Sequence, residues 1–187
     1  MSAGLRTLIA PPAGFRSPSA AMIFAGLEEE RARLDRDVAD VSVAELERQF
    51  APGMNTIGML LAHIAVAEVH ILHVGVAARP DSDVPGVIGI TMDDEGIPLP
   101  PDGRPPAALA GRDRAFFEGL MARARAETRR VMAGLNEPDL DREVVRRRPD
   151  GGERVFNVRW VLYHLLEHAA GHHYQINLLR HLYRTRG

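Results

Sequence analysis

Four stretches of the chain repeat apolar residues every three or four positions, the period of a helix that buries one face. The first is predicted over 19–40, with Ile23, Leu27, Leu34, Val38 and Val41 on one stripe and Ser19 placed to cap it. Ser42, with Glu45 three residues on, predicts one or two more turns up to Phe50 before Pro52-Gly53 breaks the chain. A second helix is predicted over 56–78 behind Asn55 as its cap. The third covers 112–134, with Phe117, Leu120, Ala124, Val131 and Leu135 on one side and Gly134 and Pro138 at its end. The fourth starts near Asn157 and runs almost to the C-terminus.

The segments between them lack this period. Residues 1–18 are rich in Pro, Gly and Ala and read as an N-terminal arm, leaving 19–187 as one domain. Residues 79–111 hold seven Pro and five Gly and read as a long loop between helices two and three, with a short strand at Val87 to Thr91. A loop of this length is unusual in a compact domain unless it has a task. Residues 139–156 are charged, with Asp150-Gly151-Gly152 as a hairpin turn. Four amphipathic helices with few strand signals predict an all-α four-helix bundle; the pattern alone admits up-down order or a crossover.

Composition narrows the function. The chain has 187 residues, 45% of them apolar, enough for one domain with a real core. A net charge of -2 gives no general attraction to nucleic acid or acidic membranes. The absence of Cys excludes disulfides, a Cys nucleophile and thiolate metal sites, and is compatible with a cytoplasmic location. The N-terminus does not read as a signal peptide, because Pro11-Pro12 breaks its first apolar run. Ile57 to Ala78 is long enough to span a bilayer, but its three His and one Glu argue for a buried helix. All 23 basic residues are Arg, and the run Arg146-Arg147-Arg148 reads as a solvated loop.

The eight His fall only in the second helix (His63, His70, His73) and the fourth (His164, His168, His172, His173, His181). Along the fourth, Val161, Leu165, His168, His172, Gln175, Leu179 and Leu182 form one core stripe whose middle three members are polar. Burying polar side chains there is costly unless each is satisfied, and a metal ion satisfies imidazoles. His168 and His172 are four residues apart, so both project from one face. His63 lies in the apolar stripe of the second helix and offers a third ligand. Three protein ligands leave a coordination position for water or substrate, as in catalytic sites. A lone core His is more often hydrogen-bonded than ligating, which is the reading for His70. His164, one turn before His168, is the rival ligand. Gln175 either holds a ligand in place or forms a polar wall of the pocket, and His73, His173 and His181 read as surface or rim residues.

Two segments resemble the DinB-like (DinB/YfiT) family of candidate metalloenzymes. One is Asn55-Thr56-Ile57-Gly58-Met59-Leu60-Leu61-Ala62-His63-Ile64, followed by Glu68. The other is Trp160-Val161-Leu162-Tyr163-His164-Leu165-Leu166-Glu167-His168, continuing to His172, His173, Gln175, Ile176 and Leu179-Arg180. The resemblance covers residues 19–185. It implies an antiparallel four-helix bundle with a crossover connection. It also implies a three-His metal site of His63, His168 and His172, with His164 a neighbour and not a ligand. Homodimers are common in the family, and some members are thiol S-transferases that use bacillithiol or mycothiol. The chain departs from the family pattern at His168-Ala169-Ala170-Gly171-His172-His173-Tyr174-Gln175, where an acid and an Arg-Gly pair are missing, so the rim differs while the ligand positions remain.

The expected function is therefore that of a divalent-metal-dependent enzyme, a thiol-dependent S-transferase or a small-molecule hydrolase. The ion would be zinc or nickel, with iron or manganese as further options, and Gln175 or His164 are the candidate catalytic residues. The expected partners are a small-molecule substrate, with a low-molecular-weight thiol as one form of it, and a second copy of the chain, with no nucleic acid and no membrane. The alternative is a non-catalytic, metal-stabilised helical binding or structural protein, whose site a fourth ligand such as His70 or His164 would close. A metal-free bundle with a hydrogen-bonded His–Gln core is a third reading.

Overall fold

A computed structural model describes residues 8–79, 82–147 and 151–186. Helix α1, Pro18–Asp37, starts one residue before the predicted cap: Ser17 accepts from the Ala20 amide at 3.0 Å, and Pro18 takes the first helical position, where its missing N–H costs nothing. The Ser19 hydroxyl bonds to Glu137 instead. Ser42 caps the short α2, Val43–Glu47, through the Glu45 amide at 3.2 Å. Thr56, not Asn55, caps α3, Ile57–Ile71, which continues through a π turn at Leu72–Val76. The 79–111 segment holds α4, Val84–Ile88, where a strand was expected; Asp83 accepts from the Gly86 amide and Pro85 sits in the first turn, both helix-starting signals. Helix α5, Arg114–Ala133, opens on Asp113.

The fold is mostly helical, as expected, with one small β-hairpin added between α5 and the last helix. Strands β1, Glu143–Arg147, and β2, Glu153–Asn157, pair antiparallel from Glu143 opposite Asn157 to Arg147 opposite Glu153. Their alternating Val, Phe and Arg residues suit a ladder with one face turned to the core. Of the expected turn, Asp150 lies outside the described residues. Helix α6, Val158–Arg186, follows β2 directly, with the Asn157 side chain accepting from the Trp160 amide at 2.9 Å.

Helix α3 is the centre of the molecule. Every residue from Ile57 to Val69 is buried except His63, which is half-buried. A helix apolar on all sides has to be enclosed on all sides. Helices α5 and α6 both pack on it, and α1 packs on α5 and α6. The span Ile57–Val76 is long and apolar enough to cross a membrane, yet 78% of its most apolar window is buried inside the protein. Glu68 on α3 is neutralised by Arg125 (2.8 Å) and bonded by Thr128 (2.7 Å) of α5. At the π turn, a Cβ on Gly75 would stand 2.8 Å from Val161 Cγ1, so glycine permits α3 and α6 to approach.

Candidate metal centre

His63 points from the middle of α3 toward α6, where His168 and His172 stand one turn apart. The His168 Nε2 lies 3.1 Å from the Nε2 of His63 and 3.1 Å from that of His172. One ring nitrogen from each residue lies within 4.8 Å of the other two. Two nitrogens on one tetrahedral zinc stand about 3.3 Å apart, given bonds of about 2.05 Å, so little movement is needed.

The outer faces of two of these rings are fixed. His63 Nδ1 donates to Glu95 Oε2 at 2.5 Å, and His172 Nδ1 donates to Gln175 Oε1 at 2.9 Å. Both acceptors are oxygens, so each ring carries its proton on Nδ1 and turns an Nε2 lone pair inward. Burial, then the neighbouring His172 and His63, push the His168 imidazole down to about 3. Burial also lowers His172. A neutral imidazole is the form that ligates metal, and both α6 rings are pushed toward it. Among the described residues, no fourth imidazole or carboxylate joins the group.

Glu95 is the site residue that sequence reasoning missed. It comes from the 79–111 segment, where Thr91 and Asp94 close a turn with the Thr91 amide donating to Asp94 at 2.7 Å. Gly96 follows at φ +75°, a backbone state glycine tolerates, and its α-carbon faces Pro106 too closely for a side chain. The usable signal was a long loop carrying Asp93-Asp94-Glu95.

The remaining histidines divide. His164 is not among the three; its ring stacks on Trp160 at 4.8 Å, and it lines a cavity of about 650 Å³ that reaches His63 and His168. His70 lines the same cavity with a buried Nδ1 that has no hydrogen-bond partner among the described residues, and burial, then Arg146, lower its pKa. His73, expected at the rim, is fully buried against Glu127 at 3.0 Å. His173, also expected outside, is buried between Glu30 (2.6 Å) and Asp37 (2.8 Å) of α1. His181 is exposed. Gln175 is exposed, and its contact is with His172 and not with the cavity.

Imidazoles from two helices of a mostly helical fold, converging on one point beside an open cavity, define a helical protein with a three-His group able to hold a metal ion. The chain belongs to the DinB superfamily, whose family model matches residues 26–176. A solved structure of a conserved protein from Enterococcus faecalis shares the fold, with a TM-score of 0.61 at 16% identity over 86% of this chain and 94% of that one. No curated protein matches the chain.

Proposed function

We propose that the protein is a metal-dependent enzyme acting on a small molecule, a thiol S-transferase or a hydrolase, with His63, His168 and His172 holding one divalent ion. The observation that carries this reading is the convergence of three Nε2 atoms, two of them aimed by oxygen acceptors behind their rings. The pairwise packing of α1, α3, α5 and α6 supports an antiparallel four-helix bundle as the frame. A bound divalent ion supplies Lewis acidity that lowers the pKa of a water or thiol and stabilises the attacking anion.

The chain's own residues supply the rest. Glu95 and Gln175 hold the His63 and His172 rings in register. His164 lines the cavity beside His168, its ring 6.1 Å from that of His168, and in this reading takes the proton from the nucleophile. Trp160, Phe156 and Val161 keep the cavity wall apolar. A fourth coordination position left open beside the cavity favours catalysis over the non-catalytic reading, which needs a fourth protein ligand. Homodimer formation is part of the proposal; exposed Met22, Tyr174 and Leu178 on α1 and α6 are in keeping with it.

The test is turnover by protein reconstituted separately with zinc, nickel, iron or manganese, assayed for thiol conjugation and for ester and amide hydrolysis. The expected result is turnover with at least one ion, lost on chelation and in His168→Ala. Turnover that survives chelation would contradict the proposal.

A further inference from the structure

The cavity beside the histidines carries a charge that the metal chemistry does not use. Arg79, Arg142, Arg146 and Arg154 all line it, against the carboxylates of Glu95, already bonded to His63, and Glu143. Arg142 donates to the Val76 carbonyl at the end of the π turn, and Arg154 lies over the Trp160 ring at 4.6 Å. Among the described residues, none of the four arginines makes an ion pair.

The hairpin sharpens the point, because two adjacent cross-strand pairs are built differently. Arg147 stands opposite Glu153 and forms an ion pair with it at 3.5 Å. The next pair is Arg146 opposite Arg154, and both side chains line the cavity. Like charges directly opposite one another destabilise a ladder. Their field is focused by the apolar wall of Val144, Phe156 and Val161. An anion lying between the two guanidiniums would turn this repulsion into charge-assisted hydrogen bonding.

We propose that the cavity binds a small organic anion, its carboxylate or phosphate held by Arg146 and Arg154 and its apolar body against Phe156, Val161 and Trp160, within reach of His168. As a statement about substrate it rests on the metal-enzyme reading, whereas capture of the anion is measurable by itself. The assigned ligand class is an acidic metabolite with a hydrophobic part, which the overall charge of -2 would not suggest.

Trp160 is the chain's one tryptophan and reports from the cavity wall. The full-length protein, as purified and after dialysis against EDTA, is titrated with phenylacetate, phenyl phosphate and neutral phenylacetamide while Trp160 fluorescence is followed. At least one anion should bind saturably, at least tenfold more tightly than the amide, and more weakly as salt rises. The preferred anion sorts carboxylate from phosphate ligands. Arg146→Gln should weaken that anion at least tenfold and Arg146→Lys less, with metal content unchanged. Because Arg146→Gln removes a like-charge contact, its Tm should equal or exceed that of the wild type, which separates lost binding from lost folding. Equal binding of amide and anion, or unchanged binding by Arg146→Gln, would overturn the proposal. So would binding abolished by EDTA but untouched by Arg146→Gln, since the anion would then sit on the ion alone. Anion binding in a wild type that takes up no metal would support the pocket and sink the metal-enzyme reading.

Discussion

His172 and His173 are neighbours on α6, yet they face different chemistry. His172 turns an Nε2 lone pair toward two other imidazoles, with Gln175 behind it. His173 turns to α1, where Glu30 and Asp37 face its two nitrogens and Asn177 also donates to Asp37 at 3.0 Å. Both His173 nitrogens are engaged on this side, Nδ1 by Glu30 and Nε2 by Asp37 with Asn177 beside it at 3.2 Å, so neither is turned toward the other imidazoles. The Asp37 carboxyl is held below its ordinary value by Asn177 and by His173. The same residue type, one position apart, joins a group able to hold an ion on one face of the helix and clamps helix to helix on the other. The partner atoms, and not the histidine, decide which.

That contrast can be broken from either side. His168→Ala should remove the inner member of the triad and abolish stoichiometric metal uptake, read by metal analysis, while α1 stays docked. His173→Ala should do the reverse: about 1 kcal/mol of stability lost in denaturant unfolding, because Glu30 and Asp37 lose their shared partner on α6, with metal content intact. Glu95→Gln exchanges the carboxylate behind His63 for an amide and should weaken metal binding about 10- to 100-fold in a competition titration with a chromogenic chelator.

The smallest effect belongs to the other buried histidine, His73, through its partner. Glu127 is lowered to about 2, first by Arg130, then by its bond to His73. Its folded value lies below the ordinary 4.5, so its contribution is present above about pH 4.5 and is lost as pH falls toward 2. Because Arg130 is largely exposed, Glu127→Gln should cost about 1 kcal/mol at pH 7. The difference between variant and wild type should shrink steadily in unfolding curves taken from pH 4.5 down to pH 2.

The four long helices were legible because each shows one continuous period, and the convergence of His63, His168 and His172 followed the stripes of two of them. What escaped was whatever depends on a partner element. The apolar stripe of α6 marks one buried face, but α1 covers a second that buries His173, and Asp40 and Glu45 beyond α1 enclose Arg180. His73 is buried because the π turn shifts the end of α3, and a π turn has no strong sequence signature. Glu95 reaches His63 across 32 residues from a segment without period. The arginine run looked like a solvated loop because the strands around it are five residues each, too short to declare their alternation. Asp83 and Pro85 are the sequence marks of α4, which begins three residues ahead of the expected strand at Val87 to Thr91.

The most direct test of the account is metal stoichiometry, measured by plasma mass spectrometry on untagged protein for the wild type, His168→Ala and His173→Ala side by side. The account predicts about one equivalent of a divalent ion in the wild type and in His173→Ala, and none in His168→Ala. A wild type that carries no metal and takes none up on titration would contradict it, leaving three converging imidazoles as a hydrogen-bonded core.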